Sequence, residues 1–170
     1  ISNVRGQVKL DGCQDFRVAR TYSPGRSGGS GPDVHLVGCQ HGRVESARSN
    51  NSPDVGVHLE DCQHVQADVE VTNPTGHGVL IDGSFSWQVR ATGTVMNAGG
   101  DSAHVGGSGS PQSTWQCRIQ DLVSISPAGA GVLVDADADE TIVDGLDGTG
   151  SSSPLITDNG TNTRIGTNWS

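Results

Sequence analysis

Six histidines and nineteen acidic residues carry most of the chemistry this chain could do. His35 and His58 occupy the same place in two similar segments, Val34-His35-Leu36-Val37 and Val57-His58-Leu59-Glu60. With Glu60 they form a candidate ligand set for a transition metal, since imidazole and carboxylate suit such ions. His41 and His64 form a second spaced pair. Asp11, Glu60, Asp82, Asp135 and Asp158 each close a short apolar–polar segment, so one face is expected to carry an acidic stripe. Stacked carboxylates repel, which raises the pKa of one or both. Such pairs serve sugar hydrolysis or cation binding, and Ca²⁺ is the cation that many oxygen ligands favour. Asp82 and Asp135 are the carboxylate candidates for catalysis, and His77, within Gly76-His77-Gly78, is the third. The acidic run Asp135 to Glu140 reads as a solvated turn, with Asp137 at a bend.

What must position these residues is a repeat. Val8-Lys9-Leu10-Asp11-Gly12-Cys13, Val34 to Cys39 and Val57 to Cys62 align without gaps. Val79 to Ser84, Val132 to Asp137 and Leu155 to Gly160 follow the same pattern, and Val105 to Ser110 is read as a degenerate copy with Ser108 in the stripe position. Taking Cys13, Cys39, Cys62, Ser84, Ser110, Asp137 and Gly160 as equivalent, the steps are 26, 23, 22, 26, 27 and 23 residues. Apolar and polar residues alternate within each copy, as in a strand. Turn clusters such as Asn50 to Pro53, Asn73 to Gly76 and Ser126 to Gly131 separate the copies.

A unit this short cannot bury its own apolar face, but stacked coils can. Val8, Val34, Val57, Val79 and Val132 should then form one interior column, and Leu10, Leu36, Leu59, Ile81 and Val134 the next. The expected fold is all-β: a single-stranded, right-handed parallel β-helix of about six to seven coils, one domain over 1–170. Parallel stacking holds neighbouring Cβ atoms near the strand spacing of about 4.8 Å, longer than a disulfide prefers. Cys13, Cys39 and Cys62 are therefore read as a thiol ladder, with Cys117 alone in its phase. Gln14, Gln40 and Gln63 are read as a stacked amide ladder, Trp87 and Trp115 as interior filler, and Trp169 as an end cap.

The repeat resembles the parallel β-helix of the pectate-lyase-like superfamily over nearly the whole chain. That resemblance implies two functions. One is a non-catalytic structural or attachment module of a virus particle or cell surface: a spike, fibre or capsid decoration that is homo-oligomeric, for example trimeric, and contacts a glycan or host-surface receptor. The other is a polysaccharide lyase or glycoside hydrolase. Polygalacturonase-like members carry a Gly-His-Gly and an Arg-Ile-Lys motif; here Gly76-His77-Gly78 is present and Arg118-Ile119-Gln120 is a partial echo. The Asn-Thr-Asp and Asp-Asp motifs that supply their acids are absent. A lyase reading also needs a basic residue on one sheet, for which Arg90, Arg118 and Arg164 are candidates by type.

Composition narrows the setting. The net charge of −9 repels nucleic-acid phosphate. No run of 18 apolar residues is present, so no helical membrane insertion is expected. Asp outnumbers Glu by 15 to 4 and Arg outnumbers Lys by 9 to 1, a usage like that of salt-loving archaea or their viruses. Together with the start at Ile1, read as a fragment of a larger chain, and the triplet Asn159-Gly160-Thr161, this suggests an extracellular, cell-surface or virion location. No cofactor is expected beyond a Ca²⁺ ion.

Overall fold

The computed structural model describes residues 4–25, 29–107, 113–151 and 154–168. The expectations placed on Ser108, Ser110 and Trp169 lie outside these residues. Every regular element described is a strand, and the strands stack in parallel as a β-helix of about six turns.

A short sheet holds seven strands: Val8–Asp11, Val34–Val37, Val57–Glu60, Val79–Asp82, Ala103–Val105, Val132–Val134 and Ile156–Asp158. A longer sheet is built around Gln40–Asn50, Gln63–Thr72, Arg90–Met96 and Arg118–Ile125. The alternation seen in the sequence sets the faces. Val34, Leu36, Val57, Leu59, Val79 and Ile81 are fully buried, and the residues between them point outward. Both predicted interior columns are present and continue through Ala103 and Val105. Each coil thus adds a thin layer to one continuous core. Truncating a buried leucine in such a layer costs about 2–5 kcal/mol.

The bends between strands use the left-handed backbone region, where Asn, Asp and His are enriched. One corner runs through Asp15, His41, His64, Gln88, Gln116, Glu140 and Asn162, all with φ between 49° and 54°. Another runs through Asn51, Asn73 and Asn97. There the amides link coil to coil: Asn73 Nδ2 donates to Asn51 Oδ1 at 3.0 Å and Asn97 Nδ2 to Asn73 Oδ1 at 2.9 Å. At the first corner a second side-chain ladder joins Gln88, Gln116 and Glu140. Gln14, Gln40 and Gln63 do align in register, as expected of stacked amides.

The structure corrects five sequence expectations. The fifth copy is Ala103-His104-Val105, because Ala103 pairs with Val79 and Val132. A small residue at the Val position and a glycine at the acid position hid it. In the last copy Ile156, not Leu155, pairs with Val132, so Asp158 lies opposite Val134 and leaves the acidic column. Leu155 instead fills the corner beside Gly148 and Gly131, where an added Cβ would meet its Cδ1. The small-residue position after Cys62 falls to Ser86, Thr114 and Ala138, not Ser84 and Asp137, because Trp87 pairs with Gln63 and with Trp115. Gly83 to Phe85 form an outward excursion that absorbs the two extra residues, with Phe85 N–H donating to Asp61. Asp137 is buried and accepts from Gly107 N–H and Ser113 Oγ, so it closes a turn rather than facing solvent. Trp87 and Trp115 stack outside the core, with ring centroids 6.0 Å apart, and Trp115 is exposed.

The thiol ladder is present, and all four cysteines are free. Cys39 Sγ donates to Leu10 O and Cys62 Sγ to Leu36 O, each one coil back. Burial pushes the Cys62 and Cys117 thiols up to about 12 and also raises Cys39. Only Cys13 is partly exposed. An aromatic-disulfide thiol reagent should therefore titrate one cysteine in the native protein and four in denaturant; rapid native titration of three or four would contradict the buried ladder.

Candidate functional sites on two faces

The short sheet presents two outward columns. Lys9, His35, His58, Leu80, His104, Leu133 and Thr157 form the first. Asp11, Val37, Glu60, Asp82, Gly106 and Asp135 form the second. Each histidine reaches diagonally to the acid of the next coil. His35 Nε2 lies 2.8 Å from Glu60 Oε2, His58 Nε2 lies 2.6 Å from Asp82 Oδ1, and His104 Nε2 lies 2.8 Å from Asp135 Oδ2. Asp11 is exposed beside Lys9. The expected acidic stripe is present in part, with Glu60 beside Asp82, and Glu60, Asp82 and Asp135 are each met by a histidine, which makes the face a staircase of histidine–carboxylate pairs. Asp82 and Asp135 are separated by Gly106, so they stand two coils apart, roughly 9.6 Å along the axis by strand spacing. Each is held by its own histidine, and the two do not converge on one point.

His77, singled out in the sequence, meets Asp101 and His104 near the fifth coil. His77 lies two residues ahead of Val79 and Asp101 two ahead of Ala103, so register stacks them. His77 Nδ1 accepts from Asp101 N–H at 3.1 Å and lies 3.2 Å from Asp101 Oδ2. His104 Nδ1 lies 3.3 Å from His77 Nε2 and 3.6 Å from Asp101 Oδ2. Gly78 is required at this corner, since a Cβ there would come within 2.3 Å of Val95 Cγ1 and 2.6 Å of the Ser102 carbonyl oxygen.

Burial works to raise the Asp101 pKa, but its contact with His77, the hydrogen bond from Ala130 N–H and the charge His77 and His104 carry once protonated outweigh it, so the carboxyl lies below its usual value. A carboxylate held below its unfolded value of about 3.9 stabilises the fold above that pH, and the contribution fades as pH falls through the folded-state value. Asp101→Asn should therefore lower the melting temperature at pH 7 and flatten its decline below about pH 4. A variant curve parallel to the wild type throughout would contradict this coupling.

The longer sheet carries the second site. Arg17, Arg43, Gln66, Arg90, Arg118, Ile142 and Arg164 stack in one outward column. Beside it runs the left-handed corner of His64, Gln88, Gln116, Glu140 and Asn162. Between them lies an open groove of about 950 Å³ lined by Arg90, Arg118, Arg164, Gln88, Gln116 and Glu140 among others. Gln116 Oε1 accepts from Trp87 Nε1 at 3.1 Å and Gln88 Nε2 at 3.0 Å, while its Nε2 donates to Glu140 at 2.8 Å. The groove wall is thus pinned to the tryptophan stack. Among the described residues, Arg90 Nε and His64 Nδ1 are buried without a hydrogen-bond partner. An unmade bond of this kind costs about 1–3 kcal/mol. Neither Arg90 nor Arg164 is paired with a carboxylate among those residues.

The three arginines were visible in the sequence only by type. Trp87-Gln88-Val89-Arg90 and Trp115-Gln116-Cys117-Arg118 are the same motif 28 residues apart, and that spacing is the signal that could have found the groove. His104 was missed because its copy lacks both flanking landmarks.

The fold and these two faces define a parallel β-helix protein with one histidine–carboxylate face and one basic, amide-lined groove. Comparison with known proteins finds no matching family model, curated protein or solved structure.

Proposed function

We propose that this chain is a non-catalytic β-helix attachment module whose groove on the longer sheet holds an acidic glycan. One observation carries the reading: Arg90, Arg118 and Arg164 line a groove on a protein of net charge −9, and the buried Nε of Arg90 has no partner there. Stacked side-chain amides and the Trp87–Trp115 pair beside it suit hydroxyls and sugar rings. Arginine's planar fork matches carboxylate and sulfate groups. The rigid stack is of the kind used in the pectate-lyase-like superfamily, and it serves here as a spike, fibre or decoration on a virion or cell surface, assembled as a homo-oligomer such as a trimer. The remaining acidic surface fits solvation at high salt, a haloarchaeal or haloarchaeal-virus trait.

A second reading, a polysaccharide lyase or glycoside hydrolase, is favoured by the meeting of His77, Asp101, His104 and Asp135. The two separate in one experiment. Oligouronates and sulfated oligosaccharides are titrated calorimetrically, and the mixtures are then assayed for chain cleavage. The module reading expects saturable binding without cleavage; cleavage lost in Asp135→Asn would overturn it in favour of the enzyme.

A further inference from the structure

We propose that His77, Asp101 and His104 bind one divalent transition-metal ion of the zinc or cobalt kind. These three side chains each offer a ligand atom, and the atoms lie within 4.8 Å of one another. Zinc bonds of about 2.0–2.1 Å place the ligand atoms of a tetrahedral site about 3.3–3.4 Å apart. His77 Nδ1 to Asp101 Oδ2 is 3.2 Å and His104 Nδ1 to Asp101 Oδ2 is 3.6 Å, which brackets that edge.

Ring orientation separates this cluster from the one the sequence pointed to. A metal ion sits in the plane of each imidazole that ligates it. The His77 and His104 rings are perpendicular, at 90°, so their planes cross and one ion can lie in both. The His35 and His58 rings are stacked at 5° with centroids 4.6 Å apart, so an ion in the plane of one lies outside the plane of the other. Their Nε2 atoms are also taken by Glu60 and Asp82. His35, His58 and Glu60 also bring ligand atoms within 4.8 Å of one another, but their stacked rings suit a single shared ion less well than the crossed rings of His77 and His104.

The surroundings prepare each ligand. Asp135 accepts the Nε2 proton of His104 at 2.8 Å, which fixes the tautomer that leaves an Nδ1 lone pair facing Asp101. Carboxylate partners of this kind accompany metal-bound histidines. Ala130 N–H donates to Asp101 Oδ1 at 2.7 Å, which leaves Oδ2 to the ion. His77 is the most exposed of the three, so the ion has a route from solvent and a fourth position for water. Binding replaces the bond from Asp101 N–H to His77 Nδ1, or the contact between His77 Nε2 and His104 Nδ1, with a stronger ligand bond.

The test uses the chain stripped with a chelator and titrated with Zn²⁺ by calorimetry and with Co²⁺ by absorption. One equivalent is expected to bind, with the intense visible band of tetrahedral cobalt. His104→Leu should abolish it; leucine already stands at this column position as Leu80 and Leu133, so the coil tolerates it. Asp101→Asn should abolish it too, and thermal melts of both variants verify folding. Asp135→Asn should weaken binding about 10–100-fold. His58→Leu should leave affinity unchanged. The proposal is overturned if the wild type binds no more tightly than His104→Leu, or if His58→Leu, rather than His104→Leu, removes the site.

Discussion

Gly93→Val is expected to leave the chain unable to fold to a stable β-helix, with loss of the strand signal in circular dichroism at 25 °C. Gly93 has φ +126°, a conformation that residues with a side chain rarely adopt, and it sits where the register of Arg90–Met96 against Arg118–Ile125 shifts by one residue. A Cβ there would lie 2.0 Å from the carbonyl oxygen of Val69 and 2.9 Å from its backbone nitrogen and carbon. These are main-chain atoms of the neighbouring coil, so relief requires pulling two coils apart. Coils separated at that point lose the ladder between Gln63–Thr72 and Arg90–Met96 on both sides of the bulge. Single changes that cost more than about 4–5 kcal/mol are rare and take a large share of a domain's stability of about 5–15 kcal/mol. Gly12→Val is the control. Its φ is +60° and nothing lies within 4 Å of an added Cβ, so only backbone strain of about 1–2 kcal/mol applies. A Gly93→Val protein that melts like the Gly12→Val protein would contradict the packing described at this coil.

The fold was legible because a solenoid writes its geometry into the sequence repeatedly. Val34, Val57 and Val79 recur with Leu36, Leu59 and Ile81 two residues on, and both the inward columns and the free thiols follow from stacking those copies. Copies that lose their landmarks were placed out of register. Ala103 and Gly106 are small enough to keep the backbone path while erasing the Val and Asp that mark it, which concealed His104. Leu155 reads as a strand residue in the sequence because a corner-filling leucine looks the same as a columnar one. The size of Trp87 and Trp115 suggests the core, whereas their register with Gln63 puts them on the outward phase. The histidine pairs were legible as stacks; whether two stacked rings converge on one point was not, because that depends on interplanar angle, which spacing does not encode.

The double variant Arg90→Gln/Arg118→Ile is expected to bind oligouronate at least about 30-fold more weakly than the wild type. Removing one partner of a buried, hydrogen-bonded charge pair costs about 2–5 kcal/mol, and each 1.4 kcal/mol is a factor of ten. Arg90 is the more deeply set of the two, and its Nε lies buried without a protein partner among the described residues. Arg118 is exposed, and among the described residues its side chain donates one long bond of 3.4 Å, to Gln120 Oε1, so it can turn toward a ligand. Each replacement copies the residue that the same column already carries one coil away, Gln66 before Arg90 and Ile142 after Arg118, so the stack should be undisturbed. Melting temperature should therefore hold while affinity falls. Raising salt from 0.1 to 1 M shortens the screening length from about 10 Å to about 3 Å, and wild-type binding should weaken in step. Equal affinity of variant and wild type, or binding insensitive to salt, would count against an electrostatic groove.

The most direct measurement is a ¹H–¹⁵N spectrum recorded during titration with a uronic-acid oligosaccharide, with side-chain Nε–H signals of arginine and Nε1–H signals of tryptophan assigned. The expected result is progressive shifts confined to Arg90, Arg118, Arg164, Trp87, Trp115 and the amides of Gln88 and Gln116, with His58 and His104 on the opposite sheet unmoved. Shifts centred on His77, Asp101 and His104 with the arginine signals unchanged, or no shifts with any acidic oligosaccharide, would contradict the assignment of the groove as the glycan site.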